Sequence, residues 1–400
     1  MKTLTFESPE KGAISFVDKR RWLWQLSMVY PLFPLVGIGV HHLTGYQAAL
    51  FLPIVLVYGV IPLLDWVFGE DLNNPPEEVV PELSQDNYYR RLLHLTGPMH
   101  FVSFFVCAYW LATQDLTWWG FVGLAIAAGV ASGLGLNTSH ELGHKANKLD
   151  RLVAKLVLAV SGYGHFCIEH NAGHHRYVAT PDDSASSKMG ENIYEFALRE
   201  IPGGFKRGWE LEKKRLQRKG KSTWSIHNDL LQSYALTAVM QIGVVVALGW
   251  MMLPFLIIHN IFAWWQLTSA NYIEHYGLLR AKRDNGKYES CQPHHSWNSN
   301  HIFSNLVLYQ LERHSDHHAH PTRQYQSLRH FEHVPELPNG YFGSFLLAYI
   351  PWLWFKIMDP KLLALNHIQG DMSKINILPR KRDALVNKYA RVMEAQPVSA

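Results

Sequence analysis

The sequence predicts an all-α polytopic membrane protein: six transmembrane helices paired as three hairpins, carrying a cytoplasmic histidine-rich metal-binding region. Three observations predict it. Six charge-poor stretches of roughly twenty residues recur along the chain, Lys and Arg are confined to the blocks between them, and histidines gather at helical spacing beside the ends of those stretches.

Composition alone is ambiguous, since 400 residues at 48% hydrophobic, with 14 Trp, 18 Tyr and 19 Phe, fit either a large soluble enzyme or a membrane protein. Distribution separates the two. A bilayer core of about 30 Å needs roughly 20 mainly apolar residues per helix. Stretches of that kind lie at 22–45, 47–68, 92–113, 117–139, 230–249 and 250–273, and the run from Ala48 to Leu64 carries no charge. Segments 69–91, 140–228 and 276–400 are instead dense in charge, which accounts for a modest mean hydropathy.

Residues 22–89, 92–139 and 222–279 contain no Lys or Arg. The positive-inside rule then places the N-terminus, the charged blocks and the C-terminus in the cytoplasm. The external turns, His42 to Gln47, Gln114 to Thr117 and Gly249 to Met252, are short and hold only Asp115 as a charge. The expected organisation is a cytoplasmic tail at 1–21, helices one to four over 22–139 with a connector at 69–91, a histidine-bearing region at 140–228, helices five and six over 229–275, and a cytoplasmic cap and tail at 276–400. Pro75, Pro76 and Pro81 mark the connector as extended. The first 21 residues lack the apolar core of a cleavable signal, so the first helix is expected to direct insertion.

Three cysteines give no disulfide framework, and Cys107, Cys167 and Cys291 read as packing residues. The net charge of +4, gathered on one face, suits anionic lipid or an acidic protein partner, and no motif supports nucleic-acid binding.

The chemistry is carried by histidine, of which there are 23. His140 and His144 stand one helical turn apart where the fourth stretch ends. His170, His174 and His175 repeat that step with an added neighbour, and His314, His317 and His318 fall at i, i+3 and i+4. His275 stands alone just past the sixth stretch. All nine fall on one side of a topology derived from Lys and Arg alone. A single metal rarely takes more than four or five protein nitrogens, so nine candidates predict two ions. Iron is favoured over zinc because open positions on a redox metal permit oxygen chemistry.

Glu141, Glu169, Glu274 and Asp316 each adjoin a proposed ligand and are candidates to orient imidazoles through the second ring nitrogen; their plainer reading is a solvated helix face. His294 and His295 are further outer-shell candidates, and Asp182 and Asp183 read as caps or outer-shell groups after the second histidine group. His41, His42, His94, His100, His165 and His259 lie in or beside apolar stretches and read as interhelical hydrogen-bonding groups.

The strings HELGH at 140, EHNAGHH at 169, NYIEHYG at 271 and RHSDHH at 313, with HHSWNSNH at 294, resemble the membrane-bound alkane monooxygenases within the histidine-box desaturase and hydroxylase superfamily. The resemblance spans nearly the whole chain; Ala172 departs from it where a larger polar residue is common. It implies a non-haem diiron enzyme of a bacterial inner membrane, with its site on the cytoplasmic side. Such an enzyme hydroxylates the terminal methyl of alkanes with O2, taking electrons from rubredoxin, itself reduced by an NAD(P)H-dependent reductase. The implied ligands are the nine histidines His140, His144, His170, His174, His175, His275, His314, His317 and His318. A fatty-acid desaturase or hydroxylase of the same superfamily is the nearest alternative. HELGH also matches a zinc-protease motif with Glu141 as base, which leaves most of the clustered histidines unexplained. A metal transporter would carry its ionisable residues near the bilayer midplane instead.

An alkane has no polar handle, so recognition has to come from apolar burial in a long tunnel. Ile54, Val57 and Ile61, at i, i+3 and i+7, are candidate tunnel wall; a packing stripe is the ordinary explanation.

Overall fold

Asp86, Thr117, Asn192 and Asn228 each cap a long helix, with side chains accepting from backbone N–H groups of the first turn. The computed structural model describes residues 2–8 and 12–395. Its long helices are α1 (Gln25–Thr44), α2 (Gln47–Phe68), α3 (Asn87–Thr113) and α4 (Trp118–Gly143), followed by α5 (Lys148–Ser161). A short interrupted helix over 166–177 is α6. Then come α7 (Ile193–Arg218), α8 (Asp229–Leu248) and α9 (Met252–Glu274). Short helices α10 (Ile302–Val307), α11 (His314–Ala319) and α12 (Tyr341–Ala348) precede α13 (Pro351–Leu363) and α14 (Arg382–Ala395).

Among the described residues five helices, α1, α2, α3, α4 and α8, are long and apolar enough to cross a bilayer. Exposed aromatic residues flank them, Tyr46, Trp118 and Trp250 in the turns at one end and Trp22, Trp66 and Trp224 at the other, as in membrane-interface belts. The sixth expected span is the 23-residue helix α9. Its first half exposes Leu253, Ile257 and Ile261 while its second half is enclosed by neighbours, and polar residues such as His259, Gln266, Ser269 and Asn271 on its buried face dilute its apolar character.

The bundle closes around α4, whose small residues let neighbours approach. A Cβ on Gly129 would come within 2.6 Å of the His259 carbonyl oxygen, and one on Gly133 would overlap the Gln266 side chain. These two glycines set the α4–α9 spacing.

Two features depart from the expected layout. The N-terminal tail is an antiparallel hairpin, β1 (Lys2–Ser8) with β2 (Gly12–Asp18), pairing Leu4 with Phe16. Buried Leu4 joins the core there, and Tyr89 donates to the Asp18 carboxylate. The second departure is α5, which lies within the charge-dense block 140–228 but turns back along α4. Ser139 Oγ donates to Ala154 O (3.1 Å), a Cβ on Gly135 would meet Val157 at 3.1 Å, and Trp264 Nε1 donates to Ser161 O (2.7 Å). At 14 residues, α5 is too short to register as a span, yet its apolar face packs inside the bundle.

The segment beyond α9 is fastened down as a cap. Asp65 of α2 accepts from the Phe303 and Ser304 N–H groups (2.9 and 3.0 Å), serving α10 as a cap from another helix. Asn137 of α4 donates to Leu308 O (2.6 Å) and Arg313 to Leu328 O (2.8 Å). These bonds hold the third histidine group over the end of α4.

Candidate metal centre

The nine histidines converge and divide into two groups. His140, His144, His170, His175 and His317 form one, and His174, His275, His314 and His318 the other, with one candidate ligand atom from each residue within 4.8 Å of the rest of its group. The second and third sequence groups are each split between the two.

Local backbone form accounts for the split. Over His170–His174 the chain adopts a π-helical turn, and the His175 N–H bonds back to the His170 carbonyl. The extra residue in that turn brings His175 beside His170, Nε2 to Nε2 3.0 Å, and sends His174 to the other group. In α11, a regular turn puts His314 and His318 together (2.9 Å), whereas His317 points to His140 (2.9 Å) and His175 (3.1 Å). His275, at the end of α9, meets His314 at 3.2 Å.

The donor set fits metal ions. Nitrogens bound at about 2.1 Å and at right angles on one ion lie about 3.0 Å apart, the spacing seen here. Hydrogen bonding alone does not explain it, because a neutral imidazole has one N–H and His317 Nε2 faces two other Nε2 atoms. Burial, reinforced by neighbouring imidazoles, holds His144, His170, His175, His314, His317 and His318 well below the usual histidine range, and burial takes His275 down to about 3. All are neutral, the form a metal requires. The Nε2 atoms of His144 and His174 are buried with no hydrogen-bond partner.

The outer-shell expectations resolve unevenly. Asp183 is the strongest such group: its Oδ2 lies 2.9 Å from His174 Nδ1, and it accepts from Arg207 (2.9 Å) and Ser186 (2.7 Å). Although burial opposes it, His174 and Arg207 hold this carboxyl below the usual range. Glu141 lies 3.6 Å from His140 Nδ1, and Glu274 Oε2 lies 3.4 Å from His314 Nε2. Glu169 instead faces Arg207 (3.4 Å), and burial beside Asp183 raises it to about 8. The Asp316 carboxylate is engaged by Arg329 (2.7 Å), which ties α11 to the following loop. His295 acts through its backbone, its carbonyl oxygen 3.3 Å from His275 Nδ1, while the His294 and His295 rings stand with Glu289 in a separate cluster.

Asp183→Asn is expected to weaken metal retention by the four-histidine group by about 10–100-fold, the usual cost of losing an imidazole-orienting carboxylate. The check is metal remaining after dialysis against a chelator; retention equal to wild type would mean that packing alone fixes His174.

A narrow, mostly apolar cavity of about 50 Å³ opens against both groups, touching His140 and His170 of one and His314 of the other. Its walls come from Tyr30, Leu134, Phe166, Ala270, Leu308, Leu311, Phe342 and Phe345, with Asn137, Asn271 and Glu274 near the histidines. Ile54, Val57 and Ile61 do not line it: Val57 and Ile61 are packed in the core. α12, an eight-residue element within the charge-dense segment 276–400, contributes Tyr341, Phe342 and Phe345 to the wall. Its only advance signal is the aromatic density of residues 341–355.

Comparison with known proteins bears directly on this arrangement. Residues 116–351 match the profile of the fatty acid desaturase family. Alkane 1-monooxygenase of Pseudomonas putida is 55% identical over 378 residues, covering 94% of each chain. Alkane 1-monooxygenase of Ectopseudomonas oleovorans is 54% identical, again over 94% of each, and alkane 1-monooxygenase 1 of Alcanivorax borkumensis is 54% identical over 94% of this chain and 92% of its own. The chain belongs to the alkane 1-monooxygenase family. As a member of that family it is an oxidoreductase of the membrane, with histidine groups suited to a non-haem metal. Family membership also separates HELGH from the zinc-protease pattern, since His140 and His144 here share their group with three further histidines.

Proposed function

We propose that this enzyme hydroxylates the terminal methyl carbon of medium- and long-chain alkanes to 1-alkanols at a two-iron centre, using O2 and electrons from rubredoxin, which an NAD(P)H-dependent reductase supplies. The observation that carries this reading is the pair of histidine groups, five and four imidazoles, flanking one apolar cavity. Its support from outside the structure is the similarity to alkane 1-monooxygenases along most of the chain.

Under this reading His140, His144, His170, His175 and His317 hold one iron and His174, His275, His314 and His318 the other. Bound there, iron supplies the oxidising step on an unactivated C–H bond that no side-chain acid or base can perform. The chain's own residues do the rest. Phe342, Phe345, Leu134 and Leu308 bind the methylene chain by burial, worth about 0.8 kcal/mol per CH2. The cap fastened by Asp65 and Asn137 closes the cavity to water. Asp183 and the His295 carbonyl orient imidazoles. Among the described residues no Lys or Arg lines the cavity, which favours an uncharged alkane over a fatty acid needing an anchor for its carboxylate.

The proposed setting is a bacterial inner membrane with six spans, α9 being the sixth, and the histidines on the cytoplasmic side. The Lys and Arg distribution supports that orientation. The domain plan keeps a cytoplasmic N-terminal segment at 1–21, spans over 22–139 and 229–275, and histidine-bearing regions at 140–228 and 276–400, with α5 drawn back among the spans.

The deciding experiment combines metal analysis with turnover. Purified enzyme is expected to carry about two irons and little zinc, and to convert n-alkanes to 1-alkanols with reduced rubredoxin. Removing iron with a chelator should abolish turnover and ferrous iron should restore it. One zinc per chain, or alcohol only at internal carbons, would overturn the proposal.

A further inference from the structure

On the side of the five-histidine group away from the alkane cavity, a separate cleft of about 800 Å³ lies between α5, the C-terminal half of α7 and the start of α8. Six cationic side chains line it, Lys145, Lys148, Arg151 and Lys155 beside Arg215 and Arg218, against two carboxylates, Glu212 and Asp229. Both carboxylates are already committed. Glu212 binds Arg215 (2.6 Å) and the Asp229 N–H (2.7 Å), and Asp229 pairs with Lys155 and with Arg215 (3.2 Å). Among the described residues no carboxylate pairs with Lys148, Arg151 or Arg218; Arg151 donates only to the carbonyls of Lys145 and Ala146, and Arg218 to that of Lys214. Lys145 Nζ is buried without a hydrogen-bond partner, its nearest carboxylate, Glu141, at 4.0 Å. Lys148, Arg151 and Arg218 are exposed at the cleft, and positive charge gathered along a concave site raises the local concentration of anions there.

The rest of the cleft identifies the kind of anion. Its floor is apolar, with Leu158, Ile168 and Leu236, and it runs out onto the exposed leucines of α5 (Leu149, Leu152 and Leu156) and the exposed outer face of α8 (Val239, Ile242 and Val246). A basic rim above an apolar floor that continues onto a lipid-facing helix matches an amphiphile with an anionic head. Basic pockets between helices at a cytoplasmic interface bind such heads.

We infer that this cleft binds an anionic phospholipid, its phosphate among Lys148, Arg151 and Arg218 and an acyl chain along the α5–α8 groove. The inference rests on the proposed membrane setting with this face cytoplasmic. Because His144 also lines the cleft, the lipid would lie directly behind the first histidine box.

The test uses full-length iron-loaded enzyme in nanodiscs of mixed phosphatidylglycerol and phosphatidylcholine, then mild detergent extraction and mass spectrometry of the lipids retained. Wild type is expected to retain phosphatidylglycerol well above its bulk proportion. Combined Lys148→Gln, Arg151→Gln and Arg218→Gln should lower that enrichment roughly fivefold per cation removed while iron content stays at the wild-type level. Wild-type retention at the bulk ratio, or undiminished enrichment in the variant, overturns the inference. Displacement of the lipid by inorganic phosphate alone would identify a small-anion site and overturn it too. So would a variant that keeps its lipid but loses reduction by an acidic electron carrier, which would make the cleft a protein dock. Failure to recover the enzyme in the membrane fraction would instead strike the membrane reading itself.

Discussion

His275→Ala is expected to leave the enzyme membrane-inserted, with about one iron in place of about two, and with turnover reduced at least a hundredfold, beyond the usual loss when only an orienting partner is removed. The residue lies past the end of α9, so its removal disturbs no span. It takes one of four imidazoles from the group it shares with His174, His314 and His318, and leaves the five-membered group whole. Iron per chain, measured on protein recovered from the membrane fraction, is the readout. His294→Ala is the matched control, because that ring lies outside both groups, in the cluster with Glu289 and His295. Two irons retained in His275→Ala would remove His275 from the metal site.

Ala270→Phe is expected to shorten the range of alkanes accepted. Ala270 projects from α9 into the cavity, and a phenyl ring there displaces about three methylenes, roughly 2.4 kcal/mol of burial, or about fiftyfold in relative kcat/KM for the longest substrates. Short alkanes that end before the ring should be turned over as in wild type. The measurement is the product profile over a homologous alkane series at matched iron content. Unchanged proportions at every length would mean the chain takes another route from the histidines. Val57→Trp, the substitution that the α2 stripe would suggest, is expected to destabilise the fold by overpacking a fully buried site without a selective effect on chain length.

The α2 stripe follows its ordinary explanation, packing, rather than the tunnel-wall alternative. Ile54, Val57 and Ile61 carry the i, i+3, i+7 pattern, but periodicity reports only that a face is apolar, and Val57 and Ile61 meet that requirement by packing in the core. The cavity lies instead between α4, α9 and the cap, walled by single residues from distant segments, Tyr30, Phe166, Leu308 and Phe345 among them. No local pattern can announce such a set. Similarly, α5 gives no span-length hydropathy signal, because 14 residues that fold back along α4 are fewer than a helix crossing a bilayer needs.

The sequence by itself determined which nine histidines are candidates, which segments are apolar enough to span, and that the histidines lie beside the ends of those segments. Each follows from short-range quantities, the i and i+4 spacing of imidazoles, the length of apolar runs and the position of Lys and Arg. Only the tertiary structure decided how the nine divide. His174 and His175 are adjacent in sequence yet serve different groups, because a single π-helical turn lines up His175, rather than His174, with His170, and His317 joins His140 across 177 positions of chain. The cavity and the roles of Asp183 and the His295 carbonyl belong to the same category. They depend on which surfaces meet when α9 packs against α4 at the closeness that Gly129 and Gly133 of α4 allow, a distance that no one-dimensional pattern encodes.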